Sequence, residues 1–282
     1  VGGGVLASEL SDGYNLSPTM IGLVIGSMFF AAAVVQVPVG LMLDSFGARR
    51  TLVGLSVIAV SGMILIGFAS GAAELIIGRI LVGIGHGASI TGVYLLAVVW
   101  TSPERVSTVA AITIAVGGAL GGILGTAPLA ISFETLGLSG TFVLLAIASL
   151  FSSFLIWKLI DDKNSFTDKP NASEGLAGSL VGFFEVLKDR NLWPIFAMAL
   201  CFSFPFATIG GLWASPFLQD LHKLTSVEAG GIILAMAFGV NLGTFLYGPL
   251  DRIFNSRKWI VLSGVMTMII SLLILAAMPA AS

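Results

Sequence analysis

Arg79 is the one basic side chain that falls inside an apolar run, in Gly78-Arg79-Ile80-Leu81-Val82-Gly83-Ile84-Gly85. Burying a guanidinium in the middle of an apolar helix costs about 2.5–3.5 kcal/mol or more, so Arg79 needs a partner or a water-filled cavity. The alternative is that it snorkels to the polar boundary from one turn inside. His86 lies seven residues on, on the same helical face. It reads either as a packing histidine or as a ligand or titrating group. Gly83, Gly85 and Gly87 would let another helix approach there. The amides of Gln36 and Asn241 either bond between helices or line a cavity, and Pro38 removes a backbone hydrogen bond that a helix would use. Trp213, with Phe204, Pro205 and Phe206, either stacks on a solute or packs against lipid and core. A second group of charges is Asp44, Arg49 and Arg50, joined by Glu104 and Arg105 further on. The five could form a cluster in which Asp44 meets a helix N-terminus, where negative charge is stabilised. The alternative is that the basic ones serve only to fix orientation.

Other chemistries find no residues. The sequence has no metal-ligand cluster, nucleotide loop, nucleophile triad or haem motif, and no Asp or Glu lies deep within an apolar segment. The single cysteine, Cys201, sits in an apolar run and excludes an internal disulfide. The expectation is therefore no enzyme, no cofactor, no metal and no nucleic-acid partner.

The elements that hold these residues are membrane spans. The chain is 56% hydrophobic and 10% charged, where a soluble domain carries about 25% charged residues. Apolar segments near 20–43, 51–70, 75–100, 106–131, 138–159, 192–218, 226–248 and 258–279 are each long enough for the hydrocarbon core. Residues 1–7 read as the tail of a preceding span. The stretch 161–190 interrupts the rhythm: a flexible first half, then Leu180, Phe183, Phe184 and Leu187 at the spacing of a helix lying on the membrane. Gly40 to Arg50 reads as a short turn, with Gly40 and Gly47 allowing it to be tight. If that turn is cytoplasmic, its side collects Arg49, Arg50, Arg105, Lys158, Lys163, Lys169, Lys188, Arg190, Arg252, Arg257 and Lys258, against Lys223 alone opposite. That bias sets the orientation and makes 161–190 cytoplasmic.

The sequence also repeats at an offset of 208 residues, Pro18 to Leu65 aligning without gaps on Ser226 to Leu273. Gly40 meets Gly248, Phe46 meets Phe254, Arg49 meets Arg257 and Arg50 meets Lys258. The counterpart of Asp44 is displaced, with Asp251 one residue nearer its glycine. The expected organisation is an N-terminal half at 1–160, a linker at 161–190 and part of a second half at 191–282. The chain starts at Val1, not methionine, and the repeat places the missing start of the first span about 17 residues upstream.

The pattern Gly40-x-x-x-Asp44-x-x-Gly47-x-Arg49-Arg50 between a second and a third span resembles the signature loop of the major facilitator superfamily. The parallel repeat is similar to that family's two halves, a case described for its members in general. The resemblance implies an all-α polytopic membrane protein, a two-repeat helical bundle with about nine of twelve spans present and spans ten to twelve absent. It implies a secondary transporter working by alternating access around a cavity formed by spans one, four, seven and ten. Gly40, Asp44, Gly47, Arg49, Arg50, Glu104 and Arg105 would form a latch that holds the outward-open state. Arg79, in a segment like the family's fourth-span motif, would handle substrate or a proton, with His86, Gln36, Trp213 and Asn241 as further candidates. Arg79 as the one buried cation points to an organic anion, and Gln36-x-Pro38-x-Gly40 also resembles members that carry anions. The expected partners are a small-molecule substrate, a coupling proton or ion and the lipid bilayer, for a monomer in a bacterial inner membrane. The competing reading is a membrane sensor that binds solute without moving it.

Overall fold

The computed structural model describes Tyr14 and residues 16–103, 105–161, 185–194, 196–198, 208–209, 213–254 and 257–277. Among these, every regular element is a helix. The first, α1 (Pro18–Phe46), starts where the Ser17 side chain accepts from the Met20 N–H at 3.3 Å, with proline at a position whose N–H has no partner anyway. It runs through Pro38 to Phe46. Gly47 then ends α1 and begins α2 (Ala48–Gly67).

The expected turn over Gly40–Arg50 is therefore one residue long. The stretch is polar but has no helix breaker before Gly47, so its polarity does not end the helix. Gly47 has φ 84° and ψ 166°, a backbone conformation that glycine alone visits readily. Its N–H donates to Leu43 O at 3.2 Å, and its own carbonyl accepts from Thr51 N–H at 3.3 Å. The Thr51 hydroxyl, on a residue only 2% exposed, donates back to Met42 O at 2.9 Å and ties α2 to the last turn of α1.

The fourth apolar segment is not one helix. It comprises α3 (Ala72–His86) and α4 (Ser89–Trp100), separated by a turn at Gly87–Ala88. Glu74, in the first turn of α3, accepts from the backbone and the hydroxyl of Ser70. Next come α5 (Val106–Leu124) and α6 (Ala127–Leu159), so the break expected after residue 131 falls at Gly125–Thr126 instead. The Thr126 hydroxyl folds back onto Gly122 O at 3.0 Å. The polar stretch before 138 is helical and carries a kink at Gly137, φ 66°. Across that kink Phe133 packs on Phe142, ring centroids 6.2 Å apart. The Ser139 hydroxyl caps Gly67 O and the Tyr14 hydroxyl caps Ala69 O, so carbonyls at the end of α2 are satisfied.

Beyond the linker the described elements are a 3₁₀ turn (Arg190–Leu192), α7 (Ala214–His222), α8 (Ser226–Phe254) and α9 (Arg257–Ala277). The surface helix expected near 176–187 lies outside the described residues except for its end, which is helical and exposed. Cys201, Phe204, Pro205 and Phe206 also lie outside them. The repeat, by contrast, is visible in the helix bounds. Shifted by the 208-residue offset, Pro18–Phe46 falls on Ser226–Phe254 end for end. Ser17, the cap of α1, falls on Thr225, whose hydroxyl and N–H both bond the Glu228 carboxylate at 2.9 Å as a capping box.

Four stretches among the described residues are long and apolar enough to cross a membrane: Pro18–Leu43, Ala48–Gly67, Ala72–Trp100 and Pro128–Leu159. Three apolar stretches of 10–17 residues join them, Thr108–Leu124, Val227–Val240 and Lys258–Ile274. The chain divides into two compact units, one within Glu9–Ile114 and Ser132–Phe196, the other within Ala115–Ile131 and Ala197–Ser282. In the first, α1, α2 and α3 pack on one another. In the second, the glycine-rich α5 meets α8 at Gly122, where an added Cβ would lie 3.2 Å from the Ala237 Cβ. Gly117 and Gly121, on the same helix, stand in open space.

Candidate functional site

The glycines of α3 decide where Arg79 goes. Gly78 and Gly85, two turns apart, lie against α2: a Cβ on Gly85 would meet the Ala59 backbone N at 2.5 Å, and one on Gly78 would meet Gly62 O at 2.9 Å. Gly83 and Gly87, one turn apart, lie against α1: a Cβ on Gly83 would fall 2.2 Å from Met28 O, and one on Gly87 would fall 2.5 Å from a Val35 methyl. Arg79 precedes Gly83 by one turn and shares the face turned to α1. Its Nη1 donates to the Met28 sulfur at 3.4 Å, a weak acceptor. Its Nε is buried without a hydrogen-bond partner among the described residues, and the whole residue is 8% exposed. The side chain thus lies within the helix packing instead of reaching out along α3 to the surface.

His86, the last residue of α3, is exposed. Its Nδ1 lies 3.3 Å from Val82 O, a contact within its own helix. Among the described residues, no hydrogen bond joins it to Arg79.

Gln36 is placed by the break in the fourth segment. Its amide nitrogen donates to Gly87 O at 3.0 Å, and its amide oxygen accepts from the Thr91 hydroxyl at 3.3 Å. Of the two uses open to this amide, the structure shows the interhelical bond. Trp213, 47% exposed, precedes α7. Asn241 lies in α8, and its side chain is outside the described residues. Tyr94 and Trp100 are both exposed on α4.

The expected charge cluster is placed in part. Gly40 lies within α1 with nothing near the position of a Cβ, so it makes no close approach. Asp44 is in the last turn of α1, but its side chain is outside the described residues, as is all of Glu104. Arg50 is exposed in the first turn of α2. Arg105 is exposed, its N–H bonded to Ser102 O at 2.8 Å. Arg49 holds its guanidinium 3.9 Å from the ring centroid of Trp157, near the end of α6.

Met28, Thr91 and Trp157 are the contributors that sequence reasoning missed. For Met28 a signal existed: with Ala31 and Val35 it follows the i, i+3, i+7 spacing of a packed helix face. Nothing local marks Thr91 or Trp157, whose partners are 55 and over 100 residues away.

These features define a class first: an all-helical, multi-pass membrane protein with the cation Arg79 buried among packed spans. A model of the major facilitator superfamily matches residues 3–282, and the chain belongs to that family. It is 25% identical over 274 residues to a probable sugar efflux transporter of Haemophilus influenzae (strain 86-028NP), covering 96% of this chain and 64% of that protein. A hexuronate transporter of Bacillus subtilis (strain 168) is 26% identical over 280 residues, covering 92% and 64%. The sodium-dependent phosphate transport protein 1 of Mus musculus is 37% identical over 93 residues, covering 32% and 20%. The chain spans about 64% of the length of the first two.

Proposed function

We propose that this chain is part of a secondary transporter that moves a small organic anion across a cell membrane, a bacterial inner membrane in this reading, by alternating access. The two repeats, 1–160 and 191–282, joined by the linker 161–190, rock about a central cavity, and Asp44, Arg49, Arg50, Glu104 and Arg105 latch the cytoplasmic side closed. The observation that carries the reading is Arg79. A cation held among packed spans whose one polar partner among the described residues is a thioether is stabilised by an anion that arrives as cargo. Relatives named for hexuronate and for phosphate support an anionic cargo, whereas the name of the sugar efflux relative points to a neutral one.

The test is uptake by the full-length protein in proteoliposomes, with glucuronate and glucose offered separately. Glucuronate is expected to enter. Arg79→Gln is expected to lower that uptake by roughly tenfold or more, the equivalent of one charged hydrogen bond, with membrane insertion unchanged. Glucuronate flux at the normal rate in the variant removes Arg79 from the cargo site. Flux of glucose alone overturns the anion and leaves transport standing, and binding without flux of either sugar shows a sensor.

A further inference from the structure

The fourth membrane segment breaks in its middle, and a side chain from another helix occupies the break. α3 closes with Gly87 N–H on Ile84 O at 3.2 Å, and the ladder of α4 resumes with Gly92 N–H on Ala88 O at 2.7 Å. In an unbroken helix the Gly87 carbonyl would accept from residue 91. Here it accepts from the Gln36 amide at 3.0 Å, and residue 91 reaches the same amide through its hydroxyl at 3.3 Å. Gln36 thus bridges the two residues that a helical hydrogen bond would have joined.

Both neighbours of this bridge are built for bending. Pro38, two residues beyond Gln36, withholds the N–H that Val34 O would otherwise receive, so α1 is weakened at the same level. Ala88, in the turn, is 1% exposed and packs in one cluster with Val39 and Leu43 of α1 and Leu55 of α2. Gly87 sits against Val35, whose methyl would have to shift to admit a Cβ. The lower half of the fourth segment is therefore fastened to α1 and α2. Its upper half is fastened separately, through Gly78 and Gly83.

We infer that Gly87–Ala88 is a hinge of the fourth span and that Gln36, with Thr91, is the positioning residue that sets its angle. An amide can give up one bond and keep the other, so the clamp yields in steps where a backbone hydrogen bond would be kept or lost outright. The inference concerns a helix of the proposed transporter, but it does not depend on the cargo or its charge.

The experiment measures the span itself. Spin labels on cysteines at Ala73 and Ser102, both exposed, are placed in the full-length protein with Cys201→Ser. Their separation along the segment is about 44 Å. The wild-type clamp is expected to give one narrow distance distribution. Thr91→Val, which keeps the side-chain shape and loses the hydroxyl, and Gln36→Leu are both expected to broaden or shift it. Thr91→Ser is expected to restore the narrow distribution, which a purely steric role for Thr91 would not produce. If Gln36→Leu does not insert, Thr91→Val and Thr91→Ser decide the matter. An unchanged distribution in Thr91→Val, or in an inserted Gln36→Leu, overturns the inference. Because no solute is present, a failed anion test leaves this result independent.

Discussion

Arg49 stacks on Trp157, and Arg50, the next residue, is exposed. Two adjacent arginines of one motif therefore do different work: the first is held within its own unit, and the second remains accessible. Trp157 is itself 48% exposed, so the stack is worth the lower range of such contacts, about 0.5–1 kcal/mol. Trp157→Ala is expected to lower the melting temperature of the purified protein, and Trp157→Phe to lower it less. A melting temperature unchanged in Trp157→Ala would remove the stack as a contributor. Gly47 makes a larger demand. With φ 84° and ψ 166°, any side chain there carries strain of about 1–3 kcal/mol. Gly47→Ala should destabilise by that order, whereas Gly40→Ala, in open helical space, should be neutral or slightly stabilising. Equal melting temperatures for the two variants would contradict this assignment of roles.

At the level of the helices, α3 acts as a spacer defined by what it lacks. Gly83→Ala would drive a methyl group into Met28 O, and Gly85→Ala would drive one into Ala59. Each is expected to cost about 1–3 kcal/mol through overpacking, read as a lower melting temperature, while Gly26→Ala on the open side of α1 is expected to cost nothing. The glycines were legible in the sequence because small residues at helical spacing carry one meaning in a membrane. Which neighbour each one faces was not legible, since α1 and α2 approach α3 from two sides and both offer small residues. Helix ends followed the same division. Ser17-Pro18 announces its cap, and Thr225 with Glu228 announces the matching one. The break at Gly87–Ala88 stayed hidden, because glycine and alanine are ordinary in a span and the residue that bonds to the turn, Gln36, is remote in the chain.

For the molecule as a whole, the family and the all-helical class were readable from the glycine and charge punctuation around residues 40–50 and from its recurrence 208 residues later. The orientation rests on the distribution of basic residues, and it has a direct test. With Cys201→Ser as background, Ser45→Cys, which is exposed, is expected to react with an impermeant thiol reagent only in inside-out vesicles. Labelling in intact cells would invert the topology and remove the cytoplasmic latch from the mechanism. The one-residue joint at Gly47 has a further consequence for how this polypeptide can vary. Thr51 and Met42 clasp each other across it, so there is no slack to absorb an added residue. One insertion between Val39 and Gly47 would swivel the incoming face by about 100°, carrying Leu43 and its neighbours out of the cluster they share with Leu55 and Ala88. Gly47 apart, point changes in this corner disturb less than changes of length.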